Sequence, residues 1–320
     1  MVKTLWKTDA VLTVVSLLQL AALAAFVVGM IVDPRLIAGA PAWLKPAKFA
    51  ASLAIYGLTL VWVFRFLPDW PRTRRAAGAI TAAVGVIEVA LIALQAWRGT
   101  TSHFNVATPF DVAVFATMGV AILVQWIASV VVAAALWRQR FDDAALGSAL
   151  RAGMLLAIVG AAMGGLMTQP SNSQIAAARA TGHMTVSGSH TVGGPDGGPG
   201  LPGTKWSTEH GDLRVPHFLG LHALQVLPVI AVALARLRRS LTAPVRLRLT
   251  RVANVSYATL TAILLWQALH GQSIVAPDAL TIAALAAWAA GTAIAAATSQ
   301  FRVRRAGPAA AAAAVAMGAQ

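Results

Sequence analysis

The stretch AVLTVVSLLQLAALAAFVVGMIV, residues 10–32, is an apolar run of 23 residues without a charged side chain. About 20 consecutive apolar residues suffice for a helix to cross the hydrocarbon core of a bilayer. Lys3 and Lys7 precede the run, as in a signal peptide, but the apolar segment of a signal peptide has only about 7–15 residues. We therefore predict a membrane-spanning helix that stays in the protein.

Similar apolar runs recur along the chain. The sequence is 58% hydrophobic and 11% charged, whereas roughly 25% of the residues in a soluble domain are charged. We predict an all-α fold, a polytopic transmembrane helical bundle with eight spans in one domain over 1–305, followed by a low-complexity, alanine-rich tail at 306–320. The predicted spans are 10–32, 47–67, 77–97, 109–137, 147–168, 217–236, 251–270 and 278–299. Gly160 and Gly164 form a small-xxx-small pair that predicts close helix packing in the fifth span.

The basic residues are distributed unevenly between the two predicted faces. Of the 25 Lys and Arg residues, 18 fall in the two terminal segments and the turns at 65–76, 138–151 and 236–251. Because cytoplasmic segments carry an excess of basic residues, both termini are predicted to be cytoplasmic, in the cytoplasmic (inner) membrane of a bacterium. The lipid bilayer is then the partner of the chain, and its net charge of +14 requires no nucleic acid.

All seven histidines fall on the opposite, outer side. This side also carries the long segment 169–216, which greatly exceeds ordinary connections between helices. Its Gly- and Pro-rich middle leaves two alternatives, a flexible disordered stretch or a lid over the outer mouth. His190, Asp196 and Trp206 are the residues with which such a lid would dock.

A third set of polar residues lies inside the predicted spans. Glu88 is near the middle of the third span, Gln95 returns to the same helix face, and Arg98 ends that span. Ionisable groups inside a bilayer are costly and usually functional. Glu88 is therefore either a proton relay or substrate contact, or a protonated acid that is hydrogen-bonded across helices.

The histidines nearest the membrane boundary are candidate ligands of a transition metal or haem: His103, His217, His222 and His270. The absence of cysteine excludes thiolate metal sites, iron–sulfur clusters and c-type haem. His217 and His222 diverge by about 140° on an ideal helix, so the pair alone is no metal motif. A metal site requires His103, His222 and His270 to converge within about 5 Å. Proton transfer, substrate binding and interfacial structural roles remain as alternatives.

Basic residues on the outer side run against the positive-inside preference and predict an anion site. The expected substrate-binding residues are Lys45, Lys48, Arg98, Asp111, Arg214 and Gln225. They would hold a small anionic or quinone-like ligand, or anchor lipid headgroups. Thr108, Pro109 and Asp111 also predict a capped start of the fourth span, which gives Asp111 a structural alternative.

Several motifs resemble those of an uncharacterised family of bacterial polytopic membrane proteins. The motifs are Trp43 to Phe49, Ser102 to Asn105, His190 to Pro202, Gly211 to Arg214 and His217 to Gln225. The resemblance covers spans two to seven. It implies a shared architecture and transfers no activity and no catalytic residue.

Three classes of function are open to this sequence. The leading hypothesis is a membrane enzyme or redox protein with a His-lined site open to the extracytoplasmic face. Its catalytic residues would be Glu88, His103, His222 and His270. The rival is a transporter or channel for a small solute or ion that uses Glu88, and the third is a non-catalytic assembly or sensor subunit. The substrate, the reaction and the oligomeric state are not predicted.

Overall fold

The computed structural model describes the backbone of residues 2–238 and 240–317 and the side chains of residues 4–238 and 240–299. Helices dominate these ranges: α1 (Val2–Thr8), α2 (Ala10–Val32), α3 (Leu44–Phe64), α4 (Pro71–Trp97), α5 (Pro109–Arg138), α6 (Ala144–Met167), α7 (Asn172–Thr181), α8 (Arg214–Leu237), α9 (Ala243–Leu269) and α10 (Ala279–Met317). Two antiparallel pairs of two-residue strands complete the fold: β1 (Leu36–Ile37) with β2 (Ala40–Pro41), and β3 (Thr191–Val192) with β4 (Gly211–Asp212).

Eight helices in the described part of the chain are long and apolar enough to span a membrane, namely α2 to α6 and α8 to α10. This confirms the all-α class and the eight predicted spans. The seventh of these helices, α9, begins at Ala243, before the predicted start of the span at 251. Its first turns contain Arg246 and Arg248, so the helix extends beyond its apolar segment.

The helix starts follow local capping chemistry. The Asp9 side chain accepts a hydrogen bond from the Leu12 amide at 2.9 Å and caps α2. Thr108 Oγ1 accepts from the Asp111 amide at 3.1 Å, and Pro109 occupies the first turn of α5, as the sequence predicts. Such caps satisfy amide groups that have no partner within the helix.

The closest helix contact lies between α6 and α8. A Cβ atom at Gly160 would meet the Gly220 Cα and the Leu221 amide nitrogen at 2.7 and 2.6 Å. Gly164, one turn further, lies against the His217 ring. The small-xxx-small pair is therefore confirmed as a packing device. It holds α8 firmly against α6.

The helix connections divide between two faces. We call the loop face the one that carries 33–43, 98–108, 168–213 and 270–278. On this face the long predicted loop contains α7, β3 and β4, which favours the lid over the disordered alternative for the described residues. We call residues 171–198 the lid, because they contain α7 and β3 and line one side of a cavity.

Backbone hydrogen bonds attach the lid to the helix ends below it. Ser187 N donates to Phe104 O at 2.8 Å, and Ser189 N donates to Met167 O at 2.8 Å. The lid residue His190 in turn accepts, through its carbonyl, a bond from Leu213 N at 3.0 Å. These bonds fix the lid to the 98–108 loop, to the end of α6 and to the segment that enters α8.

Candidate functional site

A cavity of about 1250 Å³ opens on the loop face between the ends of α3 and α4, the 98–108 loop and the lid. It exceeds the roughly 300–1,000 Å³ of typical small-molecule sites. Apolar side chains such as Phe49, Ile92 and Phe104 form part of its wall. The cavity can therefore hold a ligand with a substantial apolar portion.

Basic residues give the cavity its charge. Lys45, Lys48, Lys205 and Arg214 line it, and Asp196 is the one acidic residue among the described residues of its wall. Lys48 Nζ donates to the Thr204 carbonyl at 3.1 Å. The arrangement favours a bound anion.

Lys45 and Lys48 occupy an unusual position. Both lie in the first turns of α3, where the helix dipole is already positive and a cation is disfavoured. Among the hydrogen bonds of the described residues, Lys45 Nζ makes none. A cation at a helix N-terminus without a protein partner is most readily explained by a ligand of opposite charge.

Arg214 is held more tightly by the protein. It begins α8 and binds the buried Asp212 through Nε at 2.9 Å and through Nη2 at 2.5 Å. Nη2 also donates to the Lys205 carbonyl at 2.6 Å. Its guanidinium therefore has a fixed position at the cavity wall and a charge that Asp212 largely balances.

The lid contributes a histidine–aspartate pair to the cavity. His190 Nδ1 lies 2.7 Å from Asp196 Oδ2. Burial raises the pKa of Asp196, but the hydrogen bonds from His190 outweigh it and hold the pKa well below its usual range. Burial lowers the pKa of His190 more than Asp196 raises it, so the ring is neutral near pH 7. Nε2 makes no hydrogen bond within the described residues and is available to a ligand.

A second histidine borders the same cavity. His103 lies between Phe49 and Phe115, at ring-centroid distances of 5.4 and 6.4 Å, and its Nδ1 is 3.0 Å from Ser102 Oγ. Burial lowers the pKa of His103 well below its ordinary value, followed by the charge of Lys45. Imidazole in this setting is neutral and suited to hydrogen bonding or proton transfer.

Phe104 connects the two histidines. Its ring lies 6.2 Å from the His103 ring and 4.8 Å from the His190 ring. Its backbone has φ +63°, a left-handed conformation that is costly for a bulky residue and is concentrated at functional sites. The strained turn places the aromatic ring beneath the lid.

The remaining predicted histidines lie outside the cavity wall. His217 Nδ1 is 2.7 Å from the Gly160 carbonyl, and His270 Nδ1 is 2.8 Å from the Trp266 carbonyl. The His222 ring lies against Phe218 at a centroid distance of 4.1 Å. Within the side chains that the structure describes, no three His, Asp or Glu residues come close enough to hold a metal ion. The expected metal centre of His103, His217, His222 and His270 is not seen there.

Arg98 and Asp111 were expected to bind substrate but bind each other. Arg98 Nη1 lies 2.6 Å from Asp111 Oδ1 and also donates to Gln95 Oε1, while Gln95 Nε2 donates to Asp111 at 2.8 Å. Asp111 further accepts from the Thr108 hydroxyl at 2.6 Å. The network ties α4 to α5 and does not line the cavity, so its role is structural.

Removing the Arg98 charge should therefore destabilise the bundle rather than alter ligand binding. We expect Arg98→Gln to lower the free energy of unfolding by about 1–3 kcal/mol, because Asp111 would stay buried without its cation. The matched control is Arg35→Gln, since the Arg35 side chain is 45% exposed in its pair with Asp33. That change should lower stability much less than Arg98→Gln in the same denaturation series, because solvent screens the exposed pair. Equal losses in the two variants would contradict the structural role of Arg98.

Polar side chains inside other spans likewise form hydrogen bonds between helices. The Tyr56 hydroxyl is 3.0 Å from Ser129 Oγ. Gln225, an expected substrate-binding residue, donates to Thr59 Oγ1 at 3.2 Å and does not line the cavity. Hydrogen bonding between helices accounts for these contacts.

Glu88 has no such partner. Its side chain is fully buried in α4, and neither carboxylate oxygen makes a hydrogen bond within the described residues. Gln95, seven residues later in α4, is engaged with Arg98 and Asp111. Ile92, one turn above Glu88, lines the cavity.

Four of the predicted site residues line the cavity, namely Lys45, Lys48, His103 and Arg214. Sequence reasoning treated His190 and Asp196 only as residues that dock a lid, and it did not consider Lys205. A usable indication was the spacing of His190 and Asp196 across a Gly-Gly-Pro segment, which can turn the chain back on itself.

Comparison of the chain with family models, with curated proteins and with solved structures finds no match. The resemblance to a bacterial polytopic family therefore stays a prediction.

Proposed function

We propose that the protein is a membrane enzyme that binds an anionic substrate in the cavity on the loop face. The observation that supports this most directly is the accumulation of Lys45, Lys48, Lys205 and Arg214 around one cavity. The acidic residue of its described wall, Asp196, is already bound to His190. A negatively charged group of the substrate would complete this surface.

His190 is the proposed acid–base residue. The Asp196 carboxylate holds the ring through Nδ1, which leaves Nε2 as the proposed proton acceptor. When Nε2 takes a proton from the substrate or from water, the nearby carboxylate stabilises the resulting imidazolium. His103, whose ring also lies near Phe104, is the second proposed proton-transfer residue.

The basic and the apolar parts of the cavity wall indicate the class of substrate. Lysine ammonium groups bind phosphate, sulfate or carboxylate as point charges. Phe49, Ile92 and Phe104 offer an apolar surface next to them. A small amphipathic anion, or a quinone-like molecule with an acidic oxygen, would use both.

The location of the site is proposed from the distribution of charge. The face opposite the loop face carries most of the basic residues, which favours a cytoplasmic position for that face. The cavity would then open to the extracytoplasmic side of a bacterial inner membrane, where the neighbouring bilayer is a source of amphipathic anions.

Neutralising the two lysines tests the proposal. We expect Lys45→Gln and Lys48→Gln each to weaken the binding of hexyl sulfate by roughly 10–100-fold, because a hydrogen bond to a charged group contributes about 1.5–3 kcal/mol. Isothermal titration calorimetry on protein in nanodiscs of zwitterionic lipid measures the affinity. Arg140→Gln, on the opposite face, is the matched loss of one positive charge and should leave the affinity unchanged. Equal affinity in all four proteins would refute the anion site.

A carrier for a small anion is the second candidate. Glu88 favours it, because a buried acid without a hydrogen-bond partner is a common element of proton-coupled transport. Net uptake of the anion into proteoliposomes, lost in Glu88→Gln, would place the carrier first. A non-catalytic assembly or sensor subunit is less favoured, since it gives no reason for an ordered lid over a basic cavity.

A further inference from the structure

One face of α3 begins at the cavity and is left open by the rest of the protein. Lys48, Ser52, Ile55 and Thr59 follow the i, i+4, i+7, i+11 spacing that places side chains on one face of a helix. Ser52 is exposed and Ile55 is 45% exposed, whereas Ala50 on the opposite face is fully buried. The open face therefore leads from a lysine of the cavity wall into the membrane-spanning part of the helix.

A matching face runs along α8. Arg214, Phe218, His222 and Gln225 share it, and it also begins at a cation of the cavity wall. The Phe218 side chain is 45% exposed. The opposite face of α8 packs on α6 through Gly220. Both helices thus present a cation, followed by partly exposed side chains, on the side that does not pack on the core.

Hydrogen bonds bring the two faces together at both ends. At the cavity, Lys48 Nζ donates to the Thr204 carbonyl at 3.1 Å, and Arg214 Nη2 donates to the adjacent Lys205 carbonyl at 2.6 Å. Deeper in the membrane, Gln225 Nε2 donates to Thr59 Oγ1 at 3.2 Å. Between these ends the faces border a groove, lined by Ser52, Ile55 and Thr59 of α3 and by Phe218, His222 and Gln225 of α8.

The length of the groove corresponds to one leaflet of a bilayer. Thr59 lies 11 residues after Lys48, and Gln225 lies 11 residues after Arg214. At 1.5 Å per residue, the bridge between Thr59 and Gln225 is about 16 Å below the two cations. The hydrocarbon core of a bilayer is about 30 Å thick, so the groove ends near its middle.

These features together match the chemistry of a membrane lipid. A phosphate group is an anion that lysine and arginine bind, and basic pockets between membrane-spanning helices are known binding sites for lipid headgroups. An acyl chain is apolar and reaches the middle of the bilayer from such a headgroup. The Trp206 ring packs on Phe218 at a centroid distance of 5.6 Å, as expected for aromatic residues at the membrane boundary. A small soluble anion would use the cations and leave the groove without a role.

We propose that the substrate of the cavity is an anionic membrane lipid, whose phosphate binds at Lys48 and Arg214 and one of whose acyl chains lies in the groove. The lipid enters sideways from the leaflet beside the loop face. The inference names the substrate class of the proposed anion site and rests on that proposed function.

Competition in nanodiscs tests the groove. Hexyl sulfate is titrated calorimetrically into protein in phosphatidylcholine nanodiscs with and without phosphatidylglycerol. If phosphatidylglycerol fills about nine-tenths of the sites, the apparent affinity of the wild type falls about tenfold. Ile55→Trp fills the groove about 10 Å below Lys48. We expect this variant to bind the short hexyl sulfate as the wild type does in phosphatidylcholine and to lose most of the competition.

Ile87→Trp is the matched control. Ile87 is 37% exposed on α4, does not border the groove and lies ten residues from the end of its helix at the loop face. This variant should show the competition of the wild type. The negative surface of phosphatidylglycerol nanodiscs repels hexyl sulfate from every variant equally, so the difference between Ile55→Trp and Ile87→Trp measures the groove alone.

Photolabelling of the wild type locates the acyl chain without a substitution in the groove. Phosphatidylglycerol with a diazirine in the middle of one chain should label 52–59 and 218–225 more strongly than α10, whose exposed Ile294 reports general contact with lipid. Lys48→Gln should lower the labelling of α3 and α8 toward that of α10.

The possible results separate the lipid from the anion site. Equal competition in Ile55→Trp and Ile87→Trp, with even labelling of the exposed helices, overturns the inference and leaves the anion site intact. Competition by glycerol 3-phosphate, without specific competition by phosphatidylglycerol, assigns the site to a soluble anion and also overturns it. If hexyl sulfate does not bind in phosphatidylcholine nanodiscs, the anion site and the lipid proposal fail together.

Discussion

Gly160→Leu should abolish stable folding of the helical bundle. At Gly160 the backbones of α6 and α8 are in direct contact, and even a Cβ atom would lie 2.7 Å from the Gly220 Cα. The contacts are backbone atoms, which cannot rotate away as a side chain does. The helices would have to separate, and the hydrogen-bonding contact of 2.7 Å between His217 Nδ1 and the Gly160 carbonyl would be lost. We expect a loss of more than about 4 kcal/mol, beyond the range of most single substitutions.

Gly165→Leu provides the matched control for this prediction. Gly165 lies in the same helix, and nothing comes within 4 Å of a Cβ atom built there. The two variants therefore differ in contact with α8 and share the same change of residue type. Folded yield and the midpoint of thermal unfolding in detergent measure the difference. If Gly160→Leu folds as well as Gly165→Leu, the close approach of α6 and α8 does not exist.

Asp196→Ala should release the lid. Asp196 accepts bonds from Ser189 Oγ at 2.8 Å, from the Thr191 amide and hydroxyl at 2.9 and 2.7 Å, and from the His190 amide at 3.0 Å. The substitution also removes the partner of the His190 ring. Each bond to a charged acceptor contributes about 1.5–3 kcal/mol, although such contributions do not add fully. We expect at least a 100-fold increase in amide hydrogen exchange over the lid, which corresponds to about 2.7 kcal/mol.

The control for the lid is Glu209→Ala, which removes an exposed carboxylate from the segment that follows it. The Glu209 side chain makes no hydrogen bond within the described residues, so exchange in the lid should stay at the wild-type level. Anion affinity should fall in Asp196→Ala and persist in Glu209→Ala. A lid that remains protected without Asp196 would show that the backbone bonds to Phe104 and Met167 suffice to hold it.

The pH dependence of the lid can be read from the same exchange data. Because the pKa of His190 is lowered in the folded state, the unfolded lid binds a proton more readily, and protection should decrease as pH falls below about 6.5. The pKa of Asp196 is depressed in the folded state. Its contribution to the stability of the closed lid is therefore fully present above about pH 4 and is lost only at lower pH. As the pH falls, protonation of His190 should therefore open the lid before protonation of Asp196 does.

The sequence carries enough information to predict the membrane architecture. Uninterrupted apolar runs dictate the spans, and the start of α5 follows from Thr108 and Pro109 at their capping positions. Where polar residues belong to a helix, as at the start of α9, hydropathy places the boundary too late. Gly160 and Gly164 were sufficient to predict close packing, because small residues have few other uses inside a bilayer.

The sequence predicts a site residue only where its position on a helix is enough to place it in the cavity wall. Lys45 and Lys48 lie at the start of α3, and the cavity forms beside that turn. The sequence could not show that His103, His222 and His270 form no metal centre within the described residues, because each ring contacts neighbours that a linear pattern does not reveal. The pairing of His190 with Asp196 depends on the path of the lid, which no periodicity encodes.

The position of Lys45 and Lys48 also has an energetic consequence for an energised membrane. In the orientation that the basic residues predict, both ammonium groups are carried outward during insertion, against a potential that is negative inside. Moving one charge through 100 mV requires about 2.3 kcal/mol. Once in place, the two lysines sit at the positive end of the transmembrane voltage drop. An anion that reached them from the outside would cross little of that voltage, so its binding should be almost insensitive to membrane potential.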